Sequence, residues 1–313
     1  MAKKQTMIER TLLAMAVGES LAYLPSSKQE ILVHQPDNFT DPLKWGANTS
    51  MSLATVSSLS RGYQFNDVML RLQNWYKRRQ YAPAQTIQSI DDVIQSSMLR
   101  FSKNRDLLAS GGVDEASNSD SVLARMIPVA LYLHHRFGSA FINDERAMLL
   151  LHRVAGLTHN HEGALVSVGM LSLIISQILD GKNLFDSVEN GLAFGFEYYS
   201  RHQVFAGELK DFDAMNLPDF SNSSAADFKL DGQASNTLEA VVWSLLNSEN
   251  YQDALNKALM HGHANTMIPT LAGTLAGIYY KEDEQLNIIS QQLVSRKLII
   301  SISHLANRLG RFN

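Results

Sequence analysis

The stretch Asn265-Thr266-Met267-Ile268-Pro269-Thr270-Leu271-Ala272-Gly273-Thr274-Leu275-Ala276-Gly277 decides the fold class. Ala272, Gly273, Ala276 and Gly277 repeat at i, i+4 spacing. On a helix this lays down two ridges of small residues, against which a neighbouring helix can pack closely. Glycine within a helix costs about 1 kcal/mol against alanine, so close packing is the expected compensation. Pro269 lies near the first turn, where proline is tolerated. Asn265 or Thr266 is then the expected N-cap.

Working outward from this helix, the same period recurs. Leu238, Val241, Val242, Leu245 and Leu246 form an i, i+3, i+4, i+7, i+8 stripe. Ala254, Leu255, Ala258 and Leu259 repeat it, as do Met126, Val129, Ala130 and Leu133 around Pro128. Residues 148–157 and 164–179 read as helical by length and composition. No segment sustains the period-two alternation of a strand. Breakers fall at residues 25–27, 36–42, 111–121 and 218–232. The last is rich in Ser, Asn and Asp and reads as a long surface loop or lid. With no shift in composition to mark a boundary, residues 1–313 read as one compact all-α domain.

Composition narrows the function classes. Hydrophobic residues make up 45% and charged residues 19%, an ordinary globular balance. The net charge of -4 provides no field to gather nucleic acid or anionic lipid, so neither partner is expected. Lys77, Arg78 and Arg79, the densest basic cluster, read as a solvated helix end. The chain has no cysteine, which excludes disulfides, thiolate nucleophiles and Cys-ligated zinc. The apolar stretch 12–17 is short for a secretory signal, and the serines within 163–179 favour a buried core helix over a membrane span. A cytoplasmic setting is expected.

Two strings resemble each other: Ala47-Asn48-Thr49-Ser50-Met51 and Ala264-Asn265-Thr266-Met267. Both precede apolar helices and read on their own as N-caps. Together with blocks elsewhere they resemble the ADP-ribosylglycohydrolase family. Gly18-Glu19-Ser20-Leu21 resembles its Gly-Asp-Ala-Leu, and Trp45 to Met51 its Thr-Asp-Asp-Thr motif. Trp75-Tyr76, Arg125-Met126-Ile127-Pro128, and Leu157-Thr158-His159 followed by Ala164 resemble further family segments. Thr237-Leu238-Glu239-Ala240 with Trp243, and residues 262–277, are the most specific matches. The resemblance implies an orthogonal multi-helix fold and a cleft holding two magnesium or manganese ions.

Hard divalent cations want oxygen ligands, mostly carboxylate. The matching positions here are Gly46-Ala47-Asn48-Thr49 and Ala264-Asn265-Thr266-Met267, which carry no carboxylate. Ala47, Asn48, Ala264 and Thr266 are thus degenerate metal positions, and no cofactor is expected. Ser26 stands where some family members place a catalytic Glu, and Ser119-Asp120-Ser121 where the family has its Gly-Asn-Gly phosphate loop. By the resemblance, Asn48, Thr49, Ser119, Asp120, Ser121, His159, Asn265 and Thr266 line the ligand cleft. Glu19, Asp120, Glu162 and His159 are the remaining acid–base candidates, with Glu19 and Glu162 as one conceivable pair. Glu239 is a further polar group near the cleft. His134-His135 and His261 with His263 read as surface histidines rather than metal ligands.

Three functions follow. One is a pseudoenzyme that binds a ligand or a protein partner. Another is a hydrolase that removes ADP-ribose, or cleaves a related N-glycoside, by a weak or metal-independent route. The third is an interaction protein that blocks an ADP-ribosylating partner. Two helix N-termini without carboxylates also lead us to expect a cleft that favours ADP-ribose or another anion.

Overall fold

The computed structural model describes residues 5–261, 266–281 and 284–312. Its regular structure is helical: α1 (Met7–Ala22), α2 (Ser26–His34), α3 (Ala47–Leu59), α4 (Phe65–Arg78), α5 (Asp92–Asn104), α6 (Leu123–Phe137), α7 (Glu145–Gly156), α8 (Glu162–Leu179), α9 (Leu184–Ser200), the single turn α10 (Gln203–Ala206), α11 (Ala234–Leu246), α12 (Tyr251–Leu259), α13 (Met267–Tyr279), α14 (Glu284–Ser290) and α15 (Arg296–Arg308). Among the described residues β-pairing is limited to isolated bridges. The described residues form an all-helical, compact multi-helix assembly with no sheet among them.

Helix burial follows from the sequence pattern. In α1, α3 and α13 almost every residue is buried; α3 and α13 are apolar, small or neutral on all sides, while α1 also buries Glu9, Arg10 and Glu19. α4, α7, α12 and α15 each bury one face and surround this centre. α8 is long and apolar enough to cross a membrane, yet 89% of that window is buried inside the protein. It is a core helix, as the serines in its sequence indicate.

The small-residue ridge of α13 packs on α1. A Cβ at Gly277 would lie 2.4 Å from the Cβ of Ala14, and one at Gly273 would lie 3.5 Å from the Cα of Gly18. Across the same contact, a Cβ at Gly18 would lie 2.3 Å from the carbonyl oxygen of Pro269. Glycine on both helices therefore brings the start of α13 against the end of α1, and this contact sets one wall of the site.

Pro128 sits inside α6 rather than at its start. Lacking an N–H, it leaves the carbonyl of Ala124 without its helical partner. The Ser52 hydroxyl of α3 lies 3.3 Å from that oxygen while also bonding the Asn48 carbonyl at 2.8 Å. The helix-breaking residue thus ties α6 to the helix that opens the cleft.

Residues 218–232 are not a free lid. They form short 3-10 turns at Phe220–Asn222 and Ala225–Asp227 with Phe220 buried. Trp243 Nε1 donates to the Ser223 carbonyl at 2.8 Å, and Asn247 Nδ2 to that of Ser221 at 3.0 Å. The Phe228 ring packs on Trp243 and His261. The segment lies at the surface, as its polar composition suggested, with aromatic anchors holding it to the body of the protein. These anchors also correct the reading of His261 as a surface residue, since it is 4% exposed.

Candidate functional site

A cleft of about 410 Å³ opens where the starts of α3 and α13 meet the 120–121 turn and the 230–232 segment. Of the residues singled out in the sequence, Ala47, Asn48, Asp120, Ser121 and Thr266 line it. Tyr23, Asp91, Asp231, Met51, Ile90 and Ile94 also line it, and sequence reasoning missed them. Only the alternation of breakers and helix starts marked their neighbourhoods. Ala264 and Asn265 lie outside the described residues, as does His263.

Asn48 and Thr49 do not cap α3. They are its second and third residues, and the N-cap position is Gly46. Capping comes from α1 instead: Asn48 N donates to Glu19 Oε1 and Thr49 N to Glu19 Oε2, both at 2.9 Å. Glu19 is fully buried, and burial, the largest influence, pushes its pKa up, while bonds from the Thr49, Asn48 and Gly46 amides draw it back down. The Thr49 hydroxyl is near enough to weigh on that balance, yet its oxygen meets no partner of hydrogen-bonding geometry. Both Glu19 oxygens are engaged in holding a helix start, so they are not presented to the cleft. The first reason to expect an anion, bare N–H groups at α3, also falls away, because an internal carboxyl already occupies them.

Gly46 makes this arrangement possible. A Cβ there would lie 2.4 Å from the Tyr23 hydroxyl oxygen and 2.8 Å from Glu19 Oε1. Tyr23 contacts Ser89 Oγ at 3.2 Å. Burial, and then the charge of Glu19, keep the Tyr23 phenol above its ordinary range. Tyr23 thus fills cleft space beside α3, whereas Ser26 is an exposed residue at the start of α2.

Thr266 occupies the N-cap position of α13, but its side chain makes no capping bond. Its backbone is already helical, and its carbonyl accepts from Thr270 Oγ1 at 2.7 Å.

His159 is fully buried and stands behind the cleft wall, not in it. Its Nε2 lies 2.9 Å from Ser121 Oγ and its Nδ1 lies 2.8 Å from Thr158 Oγ1. Arg125, also fully buried, donates to Thr158 Oγ1 and to the carbonyls of Val154 (2.9 Å) and Ala155 (2.7 Å). Thr158 and Ser121 hydroxyls thus hold the two ring nitrogens of His159, and either tautomer can satisfy both contacts. Burial, then the charges of Arg125 and Arg100, keep His159 well below its usual pKa. It is a neutral imidazole that holds Ser121 from behind the cleft wall. Ser119 Oγ lies 3.0 Å from Ser121 Oγ and completes the row without lining the cleft.

Among the other candidates, Asp120 faces the cleft and accepts from Thr237 Oγ1 at 2.7 Å. Backbone pairing at Ser119–Gln233 and the Asp120 N to Gly232 carbonyl bond (2.8 Å) fix its position. Glu162 opens α8, half-buried and outside the cleft lining, so it is not placed as the acid–base partner of Glu19. Glu239 also lies outside the lining, and burial pushes its pKa up to about 7.

The donor chemistry does not fit a pair of hard cations. The α3 start offers the backbone of Ala47 and a neutral Asn48 amide, and its nearest carboxyl is committed to backbone N–H groups. Among the described residues no group of three or more His, Asp or Glu side chains is gathered to hold a metal ion.

These features define a class: an all-helical protein whose cleft is framed by helix starts, a serine-bearing turn and a buried Thr-His step. The sequence matches the ADP-ribosylglycohydrolase family model over residues 2–309, and the chain belongs to that family. It is 19% identical over 275 residues to an ADP-ribosylarginine hydrolase Tri1 of Serratia proteamaculans (strain 568), covering 85% of this chain and 68% of that one. It is 20% identical over 269 residues to the protein of the same name in Pseudomonas putida (strain GB-1), covering 85% and 67%. A solved "ADP-ribosylglycohydrolase-related protein complex" shares the fold, with a TM-score of 0.66 and 20% identity over 97% of this chain and 98% of that one.

Proposed function

We propose that this chain is a non-hydrolytic ADP-ribosylglycohydrolase-fold protein, its residues 1–313 forming one unit whose cleft binds a ligand or partner without turning it over. One observation carries the reading: the carboxyl at the α3 start, Glu19, is buried with both oxygens accepting backbone N–H bonds, while the positions beside it that line the cleft are Ala47 and Asn48. Metal-assisted hydrolysis needs carboxylates that reach the ion. Relatives named ADP-ribosylarginine hydrolase make an ADP-ribose-related molecule the first ligand to test.

The experiment is incubation with an ADP-ribosylated arginine substrate, with and without magnesium or manganese, measuring released ADP-ribose. No turnover above the uncatalysed rate is expected in either condition. Metal-dependent release would overturn the proposal. Metal-independent release would favour hydrolysis through Asp120, the one acid–base candidate that faces the cleft.

A further inference from the structure

The charge on the cleft wall is one-sided. Asp91, Asp120 and Asp231 line it, and among the described residues no lysine, arginine or histidine does. The three carboxylates come from separate elements: Asp91 caps α5, Asp120 opens the turn before α6, and Asp231 precedes α11. They are not gathered as a metal site requires. Between them lie the apolar side chains of Met51, Ile90, Ile94 and Leu230.

A second, independent feature marks the same cavity. Asn48 is 7% exposed and lines the cleft, and among the described residues no hydrogen bond holds its side-chain amide. Only its backbone is engaged, through N–H to Glu19 and carbonyl to Ser52. Its polar atoms are open only toward the cavity, so they are available to a polar group of a ligand there. The cavity volume of about 410 Å³ suits a small molecule.

We propose that the cleft takes an unbranched aliphatic polyamine, whose separated ammonium groups meet the separated carboxylates. This rests on reading the cleft as a non-hydrolytic binding site. The methylene segments lie along Ile90, Ile94 and Met51, and the Asn48 side-chain oxygen accepts from an ammonium N–H. A compact metal ion meets too few carboxylates at once, and a pyrophosphate meets three like charges. Lys229, which does not line the cavity, bears on Asp231 and offsets part of its charge.

Titration calorimetry on the full chain tests this, with spermidine as the probe and ADP-ribose and magnesium chloride as comparators. Spermidine is expected to bind, more weakly as sodium chloride is raised, because screening acts on exposed charges. Asp91→Asn and Asp231→Asn should each weaken binding about two- to fivefold, the range for an exposed ion pair. Asn at position 91 remains a good N-cap, so α5 is retained. Asn48→Leu should abolish binding while keeping its backbone bond to Glu19. Absence of spermidine binding, binding of ADP-ribose alone, or spermidine binding that ignores all three substitutions would each overturn the proposal. Failure of the non-hydrolytic reading is read separately, as released ADP-ribose.

Discussion

Removing the Glu19 side chain should unfasten the start of α3. In the structure its two oxygens accept from Asn48 N and Thr49 N at 2.9 Å each, with the carboxyl fully buried. Glu19→Ala leaves both N–H groups unpaired, at about 1–3 kcal/mol each. Water entering from the adjacent cleft relieves part of this, and the cavity left by the lost methylenes adds to it. A net destabilisation of about 3–5 kcal/mol is expected, read by urea unfolding followed by far-UV circular dichroism. Glu19→Gln keeps one acceptor but turns an NH2 toward the other donor, and should cost about 2–3 kcal/mol. The pH dependence has a definite sign. Burial raises the Glu19 pKa in the folded protein, so its stability contribution is complete below the ordinary carboxylate range and declines as pH rises through the raised value. The gap between wild type and Glu19→Gln should therefore narrow with rising pH. If Glu19→Ala unfolds within about 1 kcal/mol of wild type, the capping role is refuted. If Glu19→Gln keeps full stability but alters measured turnover, Glu19 belongs to chemistry instead.

Gly18→Ala gains about 1 kcal/mol in helix propensity but places a Cβ 2.3 Å from the Pro269 backbone oxygen, where little can give way. Overpacking should win by about 1–3 kcal/mol, lowering the calorimetric melting temperature; an unchanged or higher one would show that α1 and α13 can separate freely. Glu239, pushed up to about 7 by burial and then by Asp211 against the opposing Lys229, loses its stability contribution as pH rises from about 4.5 to 7. Discounted for its partial exposure, Glu239→Gln should be more stable than wild type by about 1 kcal/mol at pH 8 and equal to it at pH 4; the opposite order would contradict the assignment.

Much of the fold is determined by local pattern. The 3.6-residue stripes specify helices because burial of one face repeats within a single segment, and the Ala272-Gly273 and Ala276-Gly277 pairs announce a close neighbour without saying which. The absence of carboxylates at Gly46-Ala47-Asn48-Thr49 is likewise plain from the residues themselves. Three-dimensional packing decided what no local pattern carries. It chose α1 as the neighbour of α13, and brought Glu19 to amides 29 and 30 residues away. It also set His159 behind Ser121, 38 residues off, and gathered Asp91, Asp120 and Asp231 around one cavity. Helix periodicity is a property of neighbours along the chain. The partners of a buried carboxyl or a buried imidazole and the charge of a cleft depend on contacts between distant segments, and only the folded chain supplies those.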